Sequence, residues 1–446
     1  MCGICCHIVF QSFQGKERLS NVVNLSADCI LTSMLNARGP DDESSFSTEL
    51  HQLVKAYFMG CTLYQQGPEY VKQPYVDDFQ NVLLWNGEIY NSTEKVKSDT
   101  FILAEKLSSC QKDSEVCKVM SQIKGPWAFI YWQEKSKSLW FGRDRLGRRS
   151  LLWNIQEVEK DVISDLILTS VAAHCSCSQH GIGESMVHEV PAEGLFCIRF
   201  DEKNYNNSNL KIDRYSWLDH QTIQNSTNLQ TFDAVIQEME KFSIHINDKL
   251  NISPPVNCIL NNELPITEID STKYEKCSHD FIFADLLKDS MFDFYVKQFS
   301  EKFGQAVKLR TNHQQFQCKN CFSDKKMKCS HANIAILFSG GIDCAVIAAY
   351  ADKYTQPNIP IDLINVAFCQ KDKCSIPSKH KEKNREVEDK TSSSEKSDDG
   401  TYSVPDRITG YESLKELKLI FPHRTWNFIE LSFVVLKHHF NFNYGG

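Results

Sequence analysis

The 446-residue chain has no apolar run approaching the roughly 20 residues that a helical membrane span needs. Its first residues also lack a charged segment leading into an apolar one, so no secretory leader is read there and a cytoplasmic protein is expected. A basic excess is missing as well. The 49 Lys and Arg stand against 57 Asp and Glu, for a formal net charge of −8, and this excludes the electrostatic footprint of a nucleic-acid-binding surface. No internal repeat is found.

Cysteine, by contrast, is plentiful, with 18 residues. Without a secretory leader these are read as thiols with a metal or catalytic site among them, rather than as a disulfide framework. Hydrophobic residues at 41% and charged residues at 24% are ordinary for a globular protein, and the length suits two or three domains.

Residues 1 to about 200 are dense in strand-like segments, among them "NVLLWNGEIY", "WAFIYW", "SLWFGRD", "DLILTSVA" and "GLFCIRF", joined by polar turns as in an antiparallel sheet. "SDTFILAEKL" carries apolar residues at helical spacing. From 201 to 330 the strand signal fades. There Phe292, Tyr295, Val296, Phe299, Phe303 and Val307 fall on one helix face, a stripe expected to pack in a core. "NIAILFSGGIDCAVIAAYADKY" reads as strand, glycine turn and helix, and "IDLINVAF" and "TWNFIELSFVVL" as two further strands. A charged, serine-rich stretch at about 370–400 is expected to be a disordered insertion.

"MCGICC" opens the chain. Once Met1 is removed, Cys2 carries both a thiol and the α-amine, whose ordinary pKa of about 8 suits a general base. Alone, a cysteine at position 2 reads first as a buried structural thiol. The segments that follow it are "ARGPDD", "WNGEIYN", "SDTFILAE", "GPWAFIYW", "FGRDRLGRRSL" and "EVPAEGL". In order and spacing they are similar to those of glutamine amidotransferases with an N-terminal nucleophile, and with "LFSGGID" added the chain resembles the asparagine synthetase family.

The resemblance implies an α+β N-terminal nucleophile hydrolase sandwich (αββα) over 2–200. After it would come a mainly helical connecting region over 201–330, and an incomplete α/β PP-loop domain, C-terminally truncated relative to the family, over 331–440. It gives Cys2 the role of nucleophile on the glutamine amide, Asn86 and the Gly87 N–H that of oxyanion hole, and Glu88 and Asp99 that of holding the substrate α-ammonium. Read without the family, "NGE" is a turn between strands. One departure stands out: the family Arg that meets the glutamine α-carboxylate is replaced here by Thr62 or Cys61, a loss of about 1.5–3 kcal/mol of charge-assisted contact. Arg38 is kept in "ARGPD" behind Ala37.

A Ser-Gly-Gly-x-Asp turn between strand and helix can cradle phosphate, or can simply connect the two elements. By resemblance, Ser339, Gly340 and Gly341 would hold the phosphates of ATP, Asp343 would hold Mg²⁺, and Leu337 and Phe368 would lie near the adenine. Cys344 replaces a family Ser. Cys318, Cys321, Cys329 and His331 in "CKNCFSDKKMKCSH" are zinc-ligand types at an unusual spacing, so zinc and exposed thiols both stand. The function implied is a glutamine-hydrolysing asparagine synthetase, with ammonia released at Cys2 amidating ATP-activated aspartate. The alternative is a catalytically impaired member acting as an interaction or regulatory protein. No nucleic-acid or membrane partner is expected, and the oligomeric state is open.

Overall fold

Along Gly3–Phe10 (β1), Ile4, Cys5, Cys6, His7 and Ile8 are all fully buried, so this strand is covered on both faces. That demands layers on either side. The computed structural model describes residues 2–10, 29–64, 71–92, 97–159, 162–172, 185–200, 210–217, 244–249, 275–311, 321, 329–368 and 404–433. They divide into two units, Met1–Glu268 and Ile269–Gly446.

In the first unit β1 is followed by α1 (Cys29–Arg38), β2 (Asp42–His51), β3 (Val54–Thr62), β4 (Tyr75–Val76) and β5 (Val82–Gly87). Next come α2 (Asp99–Ser108), α3 (Asp113–Ser121), β6 (Trp127–Gln133), β7 (Ser138–Arg143), β8 (Leu152–Glu159) and β9 (Val162–Thr169). The unit ends with β10 (Ser185–Glu189), β11 (Gly194–Arg199), β12 (Leu210–Ser216) and β13 (Ile244–Lys249). One sheet has the order β10-β8-β9-β1-β3-β2, the other β13-β12-β11-β7-β6-β5-β4. Every pairing is antiparallel except the parallel β12–β13 pair.

The inner faces meet in one core, where Ile4, Cys6, Phe58 and Trp153 of the first sheet pack with Leu84, Ile130, Phe141 and Phe196 of the second. Each such side chain contributes about 1.5–3 kcal/mol by leaving water. Outside the first sheet, α1 lays Leu31 and Leu35 on Cys5, Met59 and Cys61. Outside the second, α2 and α3 cover Leu83, Trp85, Trp127 and Phe129 with Leu103, Leu107, Val116 and Met120. The layering is thus αββα. At Gly3, α1 passes close over β1, since a Cβ there would lie 2.4 Å from the Leu35 carbonyl oxygen.

The second unit holds α4 (His279–Leu286), α5 (Ser290–Thr311), β14 (Ala335–Leu337), α6 (Ile342–Tyr354), β15 (Ile361–Phe368), α7 (Pro405–Ile420) and β16 (Trp426–Phe433). Its three strands form a parallel sheet in the order β14-β15-β16. Ala348 and Ala351 of α6, Leu414 and Leu417 of α7, and Val307 of α5 share a core with Ile361 and Leu363.

Two expectations change here. The region 201–330 is not one helical connection, because β12 and β13 extend the second sheet of the first unit while α4 and α5 fall in the second unit. The apolar stripe of α5 is also not a continuous core face: Tyr295, Val296 and Phe299 are exposed, and only the C-terminal end packs, with Phe303 edge-on to Tyr350 at 5.6 Å and Val307 buried. The stripe records amphipathic character, and α6 meets only part of it. The expected insertion at 370–400 and "HCSCSQH" at 174–180 lie outside the described residues.

The turn between β14 and α6 is fixed from α7. Thr409 Oγ1 donates to the Ser339 carbonyl and Ser413 Oγ to the Gly340 carbonyl, both at 2.7 Å, and buried Asn365 donates to Phe338 O and Asp406 O, both at 2.8 Å. Gly340 has φ +84°, and a Cβ there would lie 2.2 Å from the backbone of Thr409. Gly340→Ala is therefore expected to cost the second unit about 1–3 kcal/mol through backbone strain, with added clash against α7. Amide hydrogen exchange should show faster exchange across Pro405–Ile420 with Gly3–Phe10 unchanged; unaltered exchange in α7 would refute the contact.

Candidate active site

Cys2 stands one residue before β1 and half buried, while Cys5 and Cys6 are sealed on the outer and inner faces of the strand. The three N-terminal cysteines thus divide by environment. Leu63 N–H donates to Cys2 Sγ at 3.4 Å and Gln73 Nε2 donates at 3.8 Å. Burial pushes the Cys2 thiol up, and the Leu63 N–H, the amino terminus and Arg149 pull it back, while Asp41 adds to the rise. Cys6, with no such counterweight, is held well above the ordinary thiol range by burial.

The thiol opens on a cleft of ≈ 540 Å³, counted to its open mouth, that is also lined by Thr62, Gln73, Trp85, Asn86, Gly87, Glu88, Asp99 and Arg149. All five residues expected at the amide-hydrolysing site, Cys2, Asn86, Gly87, Glu88 and Asp99, are therefore brought together. Asn86 and Gly87 come from the end of β5. Asp99 comes from the first turn of α2, whose N-cap Ser98 accepts from Phe101 N–H at 3.3 Å.

Three side chains on this cleft escaped the sequence reading. Gln73 is buried and accepts from Trp85 N–H at 2.7 Å while its amide donates to Thr100 Oγ1 at 3.3 Å. Trp85 lies in the cleft wall with its Nε1 buried and unpartnered. Arg149 donates to Glu88 Oε1 at 2.6 Å, and its Nε is buried with no partner. Arg149 was within the quoted "FGRDRLGRRSL", and the preceding residues explain how it is aimed. Asp144 accepts from Trp127 N–H at 3.0 Å and from Arg148 Nε at 2.9 Å, Gly147 turns the chain at φ +61°, and Arg143 Nε grips the Arg149 carbonyl at 2.7 Å.

Two further cleft atoms are buried donors without partners, Asn86 Nδ2 and Thr62 Oγ1. A buried unpaired donor costs about 1–3 kcal/mol, a cost that a polar group entering the cleft would offset. Arg38, half exposed, has its pKa lowered by burial and by the nearby Arg149.

Residues 1–196 match the glutamine amidotransferase domain family. The chain is 33% identical over 455 residues to asparagine synthetase domain-containing protein 1 of Mus musculus, covering 97% of this chain and 68% of that protein. The corresponding human protein is 34% identical over 466 residues, covering 97% and 67%. The chain belongs to the asparagine synthetase domain-containing protein family. It is also 28% identical over 161 residues to asparagine synthetase [glutamine-hydrolyzing] 3 of Bacillus subtilis, covering 33% of this chain and 24% of that one. No helix among the described residues is long and apolar enough to cross a membrane.

In this member the residue pair Thr62–Leu63 puts a hydroxyl and a backbone N–H beside the thiol, and the cleft's cation comes from Arg149. The family-derived residues of the second unit sit elsewhere. Ser339, Gly341 and Asp343 are exposed at the β14–α6 turn, and Leu337 and Phe368 are 76% and 55% exposed.

Asp99 accepts from Ile89 N–H at 2.7 Å, yet burial and then the Glu88 carboxylate carry its pKa from 3.8 up to about 7 against that bond. The folded acid holds its proton more tightly than the unfolded one, so this group lowers stability as pH rises from 3.8 to about 7. Asp99→Asn keeps an acceptor for Ile89 and removes the charge. Its melting temperature should match that of the parent near pH 3.8 and exceed it above about pH 7, by about 2–4 °C for each kcal/mol regained. A difference that does not vary with pH in scanning fluorimetry would refute the assignment.

Proposed function

We propose that the first unit hydrolyses the side-chain amide of glutamine, with Cys2 as nucleophile. The observation carrying this reading is that Cys2 Sγ shares one cleft with the buried, unpartnered donor Asn86 Nδ2 and with carboxylate and guanidinium groups able to hold an amino acid's two charges. Asp99, ionised on meeting a cation, takes the α-ammonium. Arg149, still carrying a spare donor beyond Glu88, takes the α-carboxylate together with Thr62. Glu88 therefore acts mainly by orienting Arg149.

In the reaction, with Met1 removed, Cys2 Sγ bonds to the amide carbon, its proton passes to the α-amine of Cys2 itself as base, and charge gathers on the amide oxygen. Asn86 Nδ2 and the Gly87 N–H donate to that oxygen. Collapse breaks the C–N bond, with the Cys2 α-ammonium protonating the leaving nitrogen so that it departs as ammonia, and leaves a thioester on Cys2. Water then attacks the thioester, freeing glutamate and the thiol. Atoms balance as glutamine plus water giving glutamate plus ammonia.

For the second unit we propose an ATP site at the β14–α6 turn. The residues fit an anion: a Cβ on Gly341 would meet only Ser339 Oγ, at 3.6 Å, and no side chain caps the start of α6. Ser339, Gly340 and Gly341 would hold phosphates and Asp343 Mg²⁺. When bound, ATP with Mg²⁺ supplies the activation that lets a carboxylate such as that of aspartate accept ammonia. Leu337 and Phe368 would meet the adenine on an open face. Support for aspartate as acceptor comes from the resemblance of "LFSGGID" to the asparagine synthetase family and from the similarity to the Bacillus synthetase.

Intact-mass analysis with an electrophilic glutamine analogue tests the first half-reaction. A single adduct on Cys2, blocked by glutamine, is expected; adducts spread over several cysteines, with no ammonia released from glutamine, would leave the cleft without this activity and favour an interaction protein. Asn86→Ala should lower kcat by about 10²–10³-fold with little change in KM. Arg149→Met should instead raise KM for glutamine by roughly ten-fold or more, the loss of a charge-assisted pair of about 1.5–3 kcal/mol. Equal effects of the two substitutions on kcat and KM would contradict the division of roles.

A further inference from the structure

Outside the cleft, one cluster of metal-ligating side chains stands apart. Cys321 Sγ, Cys329 Sγ and His331 Nδ1 all lie within 4.8 Å of one another, and the ring nitrogen is 3.5 Å from each sulfur. We propose that these three residues bind a zinc ion that clips the chain just ahead of β14.

The distances carry the argument. With Zn–S of about 2.3 Å and Zn–N of about 2.1 Å, a tetrahedral site sets sulfur and nitrogen roughly 3.6 Å apart. Both observed separations agree with that edge. Hydrogen bonding explains them less well, because Nδ1 has one in-plane direction, as donor or acceptor, and cannot serve two sulfurs along it. A cation among the three takes all of them at once. The donor set of two sulfurs and one imidazole selects a soft or borderline ion such as zinc over magnesium, which needs oxygen.

Position gives the ion a role. Cys329 and His331 stand immediately before β14, the strand that leads into the Ser339–Gly341 turn, whereas Cys321 approaches from earlier in the chain and is itself buried. Joining them anchors the entry to β14, a strand of only three residues. Burial grades outward from Cys321, through half-buried Cys329, to exposed His331, which leaves a route for the ion. Loading displaces the two thiol protons, so affinity should fall as pH is lowered. Three corners of the tetrahedron are assigned; Cys318, the fourth ligand type in the segment, lies outside the described residues.

The test uses the full chain, purified without chelator, with metal content read by mass spectrometry and cobalt(II) as a spectroscopic probe. About one zinc per chain is expected. Cobalt should give thiolate charge-transfer absorption and the intense visible bands of tetrahedral geometry. Cys329→Ser and His331→Ala, both at sites not fully buried, should each lower zinc content about ten-fold or more, and Cys277→Ser should not. Stripping zinc from the parent should speed amide exchange at Ala335–Leu337. Zinc below about a tenth of an equivalent with no cobalt charge transfer, or full zinc in both variants, would overturn the site. The cobalt spectrum of the parent decides the matter even if a variant fails to fold.

Discussion

The position of Cys2 depends on a strand that has no exposed face. β1 is paired by β3 on one side and β9 on the other, with the inter-sheet core beneath it and α1 above. A one-residue slip would exchange Ile4, Cys6 and Ile8 with Cys5 and His7. That exchange would carry His7 out of reach of Asp165, whose Oδ1 lies 2.7 Å from its ring nitrogen, and into the inter-sheet core. Register is therefore set by burial on two sides. The residue just before the strand is held at the cleft by the same constraint, with Leu63 N–H meeting its sulfur.

Charge in the cleft follows from a second piece of framework, the loop from Asp144 to Arg149. Asp144 accepts from the Trp127 N–H and from Arg148 Nε, Arg143 donates to the Arg149 carbonyl and to Glu189, and Arg149 projects from the end of the loop so fastened onto Glu88. On the proposed reading, Arg149 takes the part of an arginine at the strand end, where Thr62 stands, because a carboxylate responds to where the guanidinium fork lies and not to which element supplies it. Asp99 lies across the cleft, close enough to Glu88 for that carboxylate to raise its pKa. Burial and the Glu88 carboxylate thus both disfavour a negative charge on Asp99, and a cation beside it would offset them.

Much of the first unit was legible because alternation and turn chemistry act locally. "NVLLWNGEIY", "WAFIYW" and "GLFCIRF" became β5, β6 and β11, and the cleft residues Cys2, Asn86, Gly87, Glu88 and Asp99 lay inside motifs whose order could be read. What escaped is non-local. Strands β12 and β13 lie in a stretch whose own strand signal is weak, and they are stabilised by pairing along an edge already built by β11. Arg149 was one arginine among four in its motif, and only the loop geometry separates it from Arg143, Arg145 and Arg148. The α5 stripe misled because periodicity reports an apolar face without saying how far a neighbour extends along it.

Cysteine shows the same limit most clearly, since its chemistry is decided by surroundings and not by spacing. Cys5, Cys6 and Cys197 are fully buried among apolar groups, and burial pushes Cys6 and Cys197 far toward the inert thiol. Cys61, beside the cleft but facing α1, is pushed up to about 12. Cys2 differs from these in being only partly buried, with the Leu63 N–H donating to its sulfur, and Cys321 and Cys329 differ through a shared imidazole nitrogen. A thiol becomes useful where the fold brings it a positive or metal-directed partner, and among the described cysteines Cys2 at the start of β1 and the pair Cys321 and Cys329 at the approach to β14 meet that condition.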